Sequence, residues 1–151
     1  MNFWMKEALL EATLAQTAGD VPVGAIIVRD GEIIAKGHNE REKRNSPLGH
    51  AEIVVMEKAA RVKGDWRLDD CDLYVTLEPC AMCAGAIIQS GIRRVYFGAW
   101  DTEAGACGGR VDLFRDLPRV KTEVYSGIME EECTKMLKDF FQGLRKKTNN
   151  E

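Results

Sequence analysis

The sequence has no apolar run near the ~20 residues that a helix needs to cross a bilayer, which excludes a membrane-spanning role on this reading. Its start, MNFWMKEALLEA, brings acidic residues early and has no small-residue cleavage site. It does not read as a signal peptide, and a cytoplasmic location is the expectation. Positive charge is not in excess: 21 Lys and Arg stand against 24 Asp and Glu, a net charge of −3. That is not the balance of a general nucleic-acid coat protein. No internal repeat or low-complexity segment occurs. Histidine is scarce, with two in 151 residues, and the five cysteines are an odd number. In a reducing compartment such cysteines are thiols or metal ligands rather than disulfides.

What is present is a globular composition, 45% hydrophobic and 30% charged, in a length that suits one domain over residues 1–151 with a frayed tail from Thr148 to Glu151. Apolar residues at Trp4, Ala8, Leu9, Ala12 and Leu14 give a helical period over Phe3 to Gln16. Val21 to Val28 is a β-rich run, Arg29-Asp30-Gly31 a turn, and Glu32 to Gly37 a second strand, so a hairpin is expected. Asn39 to Gly49 lacks periodicity and reads as a loop. Helices are expected over Ala51 to Val62, Ala81 to Gln89 and Met129 to Arg145, and strands over Asp72 to Thr76, Arg94 to Gly98 and Thr122 to Tyr125. The last helix puts Cys133, Met136, Leu137, Phe140 and Phe141 on one side. Asp101 to Gly109 is a glycine-rich loop. Strands alternating with helices predict an α/β sheet covered on both faces, and the opening hairpin makes it mixed rather than parallel.

The chemistry concentrates between His50 and Cys83. A Cys-x-x-Cys pair alone is a weak signal, shared by redox pairs and zinc knuckles. Here Pro79-Cys80-x-x-Cys83 opens a helix after a strand. Cys80 falls at the helix start and Cys83 one turn on, where the helix dipole and free N–H groups favour thiolate. His50 begins its own helix and supplies a third ligand. A structural zinc site is closed by four protein ligands. Of the possible fourth ligands, Cys71 reads as a turn or core thiol and Cys133 as part of a packed helix face. His38 and Cys107 remain, without the short paired spacing of a second knuckle. Three ligands and an open position are therefore favoured. An open position holds water, and zinc lowers the pKa of such water to about 7. Glu52, two residues from His50, can reach that water without entering the coordination sphere and can move its protons. Taken alone, Glu52 also reads as a solvent-facing helix residue.

His50-Ala51-Glu52 followed by Pro79-Cys80-Ala81-Met82-Cys83 resembles the signature of the zinc-dependent cytidine/adenosine deaminase superfamily. Further stretches are similar to the bacterial tRNA adenosine deaminases: DVPVGAIIV (Asp20 to Val28), GHN (Gly37 to Asn39), LYVTLEPCAMCAGAI (Leu73 to Ile87), RRVYFGAWD (Arg93 to Asp101), AGACG (Ala104 to Gly108) and DFF (Asp139 to Phe141). The resemblance spans nearly the whole chain. It implies a three-layer α/β/α cytidine-deaminase-like fold with a five-stranded mixed sheet, and one zinc ion per chain on His50, Cys80 and Cys83, with Glu52 as proton shuttle. It also implies a homodimer that converts adenosine to inosine at the wobble position of a tRNA anticodon loop. Asn39 matches the residue that hydrogen-bonds the flipped base, Asp101 one at the pocket mouth, and Phe141 an aromatic near the flanking bases with Phe140 packed below it. Ala51 and Cys80 offer backbone N–H groups to the developing intermediate.

The chain departs from the family's pattern in two places. Ser46-Pro47-Leu48-Gly49 stands where Asp-Pro-Thr-Ala is usual, and the Asn-His before the last strand is replaced within Leu117-Pro118-Arg119-Val120-Lys121. Arg119 and Lys121 are candidates for the lost RNA contacts. These departures keep open a deaminase of free bases or nucleosides, of guanine or cytosine type. A structural-zinc interaction module is the non-enzymatic alternative. Two basic clusters, Lys36 with Arg41, Lys43 and Arg44, and Arg145 with Lys146 and Lys147, read equally as RNA contacts or as ordinary solvated charge.

Overall fold

Alternating side chains divide the central strands between two apolar layers. In β1 (Gly24–Arg29), Ala25 and Ile27 face one layer, and Ile26 and Val28 face the other. In β3 (Cys71–Leu77), Leu73 and Val75 face the first layer and Tyr74 the second. Strands buried on both faces read as near-continuous apolar runs, which is why GAIIV and LYV are both so apolar. The computed structural model describes residues 1–149.

The remaining strands are β2 (Glu32–His38), β4 (Arg94–Ala99) and β5 (Glu123–Tyr125), and the order across the sheet is β2-β1-β3-β4-β5. β1 pairs antiparallel with both β2 and β3, whereas β3, β4 and β5 run parallel, so the sheet is mixed as expected. The hairpin turn is Asp30-Gly31, with φ of 51° and 75°. Two successive positive φ values match the twist of the flanking strands. The sheet carries a tyrosine stack on one face, Tyr74 on Tyr96 at 4.5 Å and Tyr96 on Tyr125 at 5.0 Å between ring centroids.

Helices α3 (Ala51–Lys63) and α4 (Ala81–Ser90) bury Val55, Ala59 and Ile87 in the first layer. Helices α1 (Asn2–Thr17) and α6 (Glu130–Asn149) bury Met5, Ala8 and Cys133 in the second. This is the three-layer α/β/α arrangement. Among the described residues no helix is long and apolar enough to cross a membrane.

Several boundaries differ from expectation. β1 begins at Gly24 rather than Val21, because Pro22 has no N–H for a ladder and Val23 donates instead to the Val21 carbonyl. The segment 39–49 is not all loop. Arg41–Arg44 forms a one-turn helix, α2, held by its surroundings: the Glu42 N–H donates to buried Asp20 Oδ2 at 3.2 Å. A second short helix, α5 (Leu113–Asp116), is capped by Asp112, whose Oδ1 accepts from the Phe114 and Arg115 N–H groups. Thr148, expected in a frayed tail, continues α6 and donates its hydroxyl to the Leu144 carbonyl. Asn150 and Glu151, also assigned to that tail, lie outside the described residues.

The topology brings several chain segments to one edge of the sheet. Parallel strands β3 and β4 deliver their C-terminal ends there, as Leu77 and Ala99, beside the end of β2 and the start of β1. Ligands in open α/β sheets bind beyond the carboxyl ends of parallel strands.

Candidate active site

Two helices begin at that edge, and each begins on a potential metal ligand. His50 is the N-cap of α3 and Cys80 the N-cap of α4, with Cys83 in the first turn of α4. His50 Nδ1 lies 3.6 Å from Cys80 Sγ and 3.6 Å from Cys83 Sγ. A tetrahedral zinc bonded at about 2.3 Å to sulfur and 2.1 Å to nitrogen sets such atoms roughly 3.6 Å apart. The donor set and its spacing therefore fit one zinc ion. Among the described residues this is the one group whose ligand atoms converge in this way. The two candidates for a fourth ligand are not in this group: His38 pairs with Glu11 at 3.0 Å, and Cys107 is buried within the glycine-rich loop.

The local electrostatics favour a bound cation. The Cys83 thiol donates to Cys80, and His50 adds a second hydrogen bond, so Cys80 drops to about 3. Cys83 is pushed up, by the same hydrogen bond and by burial. The His50 imidazole is raised, chiefly by its hydrogen bond to Cys80. A metal replaces these protons, so binding releases them. The other three buried thiols are inert by contrast: burial pushes Cys71 and Cys133 up to about 12, and pushes Cys107 up as well.

Glu52 sits in the first turn of α3 and is only 4% exposed, so it is not a solvent-facing helix residue. Burial pushes its carboxyl up to about 7. A group that titrates near neutrality can both accept and return a proton. The neighbouring Cys80 raises this carboxyl further, while His50 and Cys83 act to lower it.

A cavity of about 230 Å³ opens over this floor. The structure places Asn39, His50, Ala51, Glu52, Cys80 and Asp101 on its wall. Asn39 is buried, and its Oδ1 accepts from the Arg41 N–H at 3.1 Å. The carbonyl end is therefore engaged locally, and the amide presents its NH2 as a donor. Asp101 Oδ1 likewise accepts from the Glu103 and Ala104 N–H groups at 3.1 and 3.0 Å. Phe141 is not on this cavity. It is 43% exposed and lines a separate hollow with Trp100 and Arg145. Phe140 meets it edge to face at 5.4 Å. The expected apolar side of the last helix is thus split: Cys133 is buried, whereas Phe141 faces outward.

The basic segment before α3 is partly accounted for by ion pairs, Lys36 with Glu7 and Arg44 with Glu40, while Arg41 lines the cavity. The departure at Gly49 has a local cause. A Cβ there would lie 2.9 Å from the Arg41 backbone, so glycine permits α2 to close on the loop. Sequence reasoning gave no site role to five wall residues, Val21, Val23, Leu77, Glu78 and Ala104. The signal for Glu78 was an acidic residue between a buried strand and the Pro-Cys turn.

Residues 1–99 match the family described as cytidine and deoxycytidylate deaminase zinc-binding region. The chain belongs to that family. Zinc is accordingly its cofactor, and the His50, Cys80 and Cys83 trio is the cluster suited to one ion. A curated relative, the tRNA-specific adenosine deaminase of Bacillus subtilis, is 48% identical over 97% of this chain and 91% of its own length. A chain from a structural study of A-to-I editing by tRNA:A34 deaminases at the wobble position of transfer RNA is 41% identical. It covers 91% of this chain and all of its own, with a TM-score of 0.85. The guanine deaminase of Bacillus subtilis is also similar, at 36% identity over 95% of this chain and 92% of its own, with a TM-score of 0.64.

Proposed function

We propose that the chain hydrolyses adenosine to inosine at the wobble position of tRNA anticodons. The observation that carries the chemistry is the buried Glu52 carboxyl lining one cavity with His50 and Cys80, whose ligand atoms converge with that of Cys83. The tRNA relatives, similar along almost the whole chain, support the substrate.

Bound to His50, Cys80 and Cys83, zinc supplies Lewis acidity that lowers the pKa of water to about 7. The net reaction consumes one water and releases one ammonia: the amine-bearing ring carbon gains oxygen and loses nitrogen. Glu52 accepts the water's proton and returns it to the departing amine, so one carboxyl serves both transfers. The N–H groups of Ala51 and Cys80, at helix starts without helical acceptors, face charge that develops on the ring. The Asn39 NH2 donates to an acceptor on the flipped base. Asp101 forms the mouth, and Phe141 offers a face on which a neighbouring base stacks. Arg145, Lys146 and Lys147 follow Phe141 on α6 and hold phosphates, with Arg119 and Lys121 on the loop before β5 as further contacts. A cytoplasmic homodimer belongs to the same reading, and sedimentation tests the dimer.

The deciding experiment offers the zinc-loaded protein an anticodon stem-loop with adenosine at the wobble position and, separately, free adenosine, guanine and cytosine. Inosine from the stem-loop, with far slower release from free adenosine, is the expected result, because the free nucleoside lacks the remote contacts that help reach the transition state. A second reading, a guanine deaminase, is favoured by the 36% identical Bacillus subtilis enzyme. Ammonia from guanine with none from the stem-loop establishes that reading instead.

A further inference from the structure

Glu78 lies at the end of β3, immediately before Pro79 and Cys80, and is only 2% exposed. No ion pair neutralises it among the described residues. Three backbone N–H groups do the work instead. Its Oε1 accepts from Asp101 at 2.9 Å, and its Oε2 accepts from Cys107 at 2.9 Å and from Gly109 at 2.7 Å. All three donors belong to the glycine-rich loop after β4. The loop closes around the carboxylate so tightly that a Cβ on Gly105 or Gly109 would lie 2.3 or 2.1 Å from Oε1. Those two glycines are required by this close approach. The same loop is tied to the turn by the Ala106 N–H, which donates to the Pro79 carbonyl at 2.9 Å.

The carboxylate therefore joins two functional parts. One is the Glu78-Pro79-Cys80 turn, which carries a zinc donor. The other is the wall formed by Asp101 and Ala104. A carboxylate with several backbone donors is a strong, directional anchor, because each bond is charge-assisted. Among the described residues, the Glu78 carboxylate is the group of the turn that accepts from the Asp101 N–H itself.

We infer that Glu78 is a positioning residue for substrate specificity: it sets the place of the Asp101 wall relative to the zinc-bearing turn, and so governs how the nucleotide beside the reacting base is held. This rests on the RNA reading above. Glu78 is not one of the zinc donors; it acts through Asp101.

Substitution by glutamine tests the relationship with little change in volume. An amide has one oxygen, which can keep Cys107 and Gly109, and its NH2 then faces the Asp101 N–H, a donor against a donor. Glu78→Gln is expected to keep zinc at one ion per chain and to raise KM for the stem-loop about tenfold, the scale of one lost charge-assisted hydrogen bond, with kcat within about threefold of the parent. Amide exchange at Asp101 should speed up more than at Cys107 or Gly109. Adding Asp101→Ala to Glu78→Gln should raise KM little beyond Asp101→Ala alone, since residues acting as one unit do not add. Gly109→Ala, which presses on Glu78 from the loop side, should give the same KM-dominated change, and serves if Glu78→Gln does not fold. Additive effects of Glu78→Gln and Asp101→Ala overturn the inference. So does a fall in kcat at unchanged KM, or a loss of zinc that tracks the loss of activity. A parent enzyme inactive on the stem-loop rejects the RNA reading separately. The same variants are then scored on the base or nucleoside the parent does deaminate, where unchanged KM and unchanged amide exchange overturn the positioning role.

Discussion

His50 Nδ1 and Cys83 Sγ lie 3.6 Å apart although 33 residues separate them in the chain. The distance is set by two helix starts meeting at one edge of the sheet, each held by a strand behind it. A metal bound there bridges α3 and α4 across that gap.

Cys83→Ala should therefore abolish zinc binding and lower stability together. A ligand that binds only the folded state stabilises it by about 2.7 kcal/mol at a hundredfold excess over its dissociation constant. Elemental analysis and thermal melting, with and without a chelator, read both effects. Full zinc occupancy in this variant would remove Cys83 from the ligand set.

Glu52→Gln should keep zinc and the fold while losing most turnover. General acid–base groups contribute about a hundredfold to ten-thousandfold, and the amide cannot shuttle protons. Turnover within a few-fold of the parent, measured at saturating substrate, would exclude Glu52 as the shuttle.

Asp70 predicts an acid-sensitive stability term far from the site. It accepts from Lys63 Nζ and from Arg29 Nε, each at 2.7 Å. The Lys63 bond is the larger cause that holds its carboxyl well below the usual range, with Arg29 adding to it. A depressed folded pKa stabilises above the unfolded value near 3.9, and that stability is lost as pH falls from there through the folded value. The Asp70 side chain is 41% exposed, so solvent screening limits the gain to about 1 kcal/mol. Asp70→Asn should be less stable than the parent by this amount at neutral pH, and the difference should shrink under acid. Urea melts across that range decide it; a gap that stays constant with pH rejects the ion-pair cause.

Phe141→Ala should leave the melting temperature almost unchanged, because the ring is largely outside the core, and reduce activity on the stem-loop. Stacking of one base on an aromatic is worth about 1–3 kcal/mol, an effect of roughly 5- to 150-fold. The parent's activity should also fall with salt, as phosphate contacts require. Equal activity of parent and variant on RNA would take Phe141 out of the interface.

The elements with a sustained period were legible in the sequence. α1, α3, α4 and the paired strands show their spacing because each buries one face or both. α2 and α5 were not, since four residues make a single turn with no period, and each depends on an aspartate outside it, Asp20 or Asp112. The zinc donors were legible because metal chemistry restricts both residue type and spacing. The role of Glu78 was hidden for the opposite reason: its partners are backbone N–H groups, which every residue has, and they come from positions 101 to 109. Phe141 shares the phase of the packed side of α6 in the sequence, and only the three-dimensional course of that helix places it outside the core.

The glycine-rich loop closes on a turn that precedes it in the chain, and this imposes an order on synthesis. A chain emerges from the ribosome N-terminus first. Once residue 83 has left the ribosome all three zinc donors are outside, whereas the N–H groups that satisfy Glu78 have yet to emerge. Translation thus delivers the metal donors first and the substrate wall afterwards. Until the wall arrives, the Glu78 carboxylate must stay in water, and the turn that follows β3 cannot be buried.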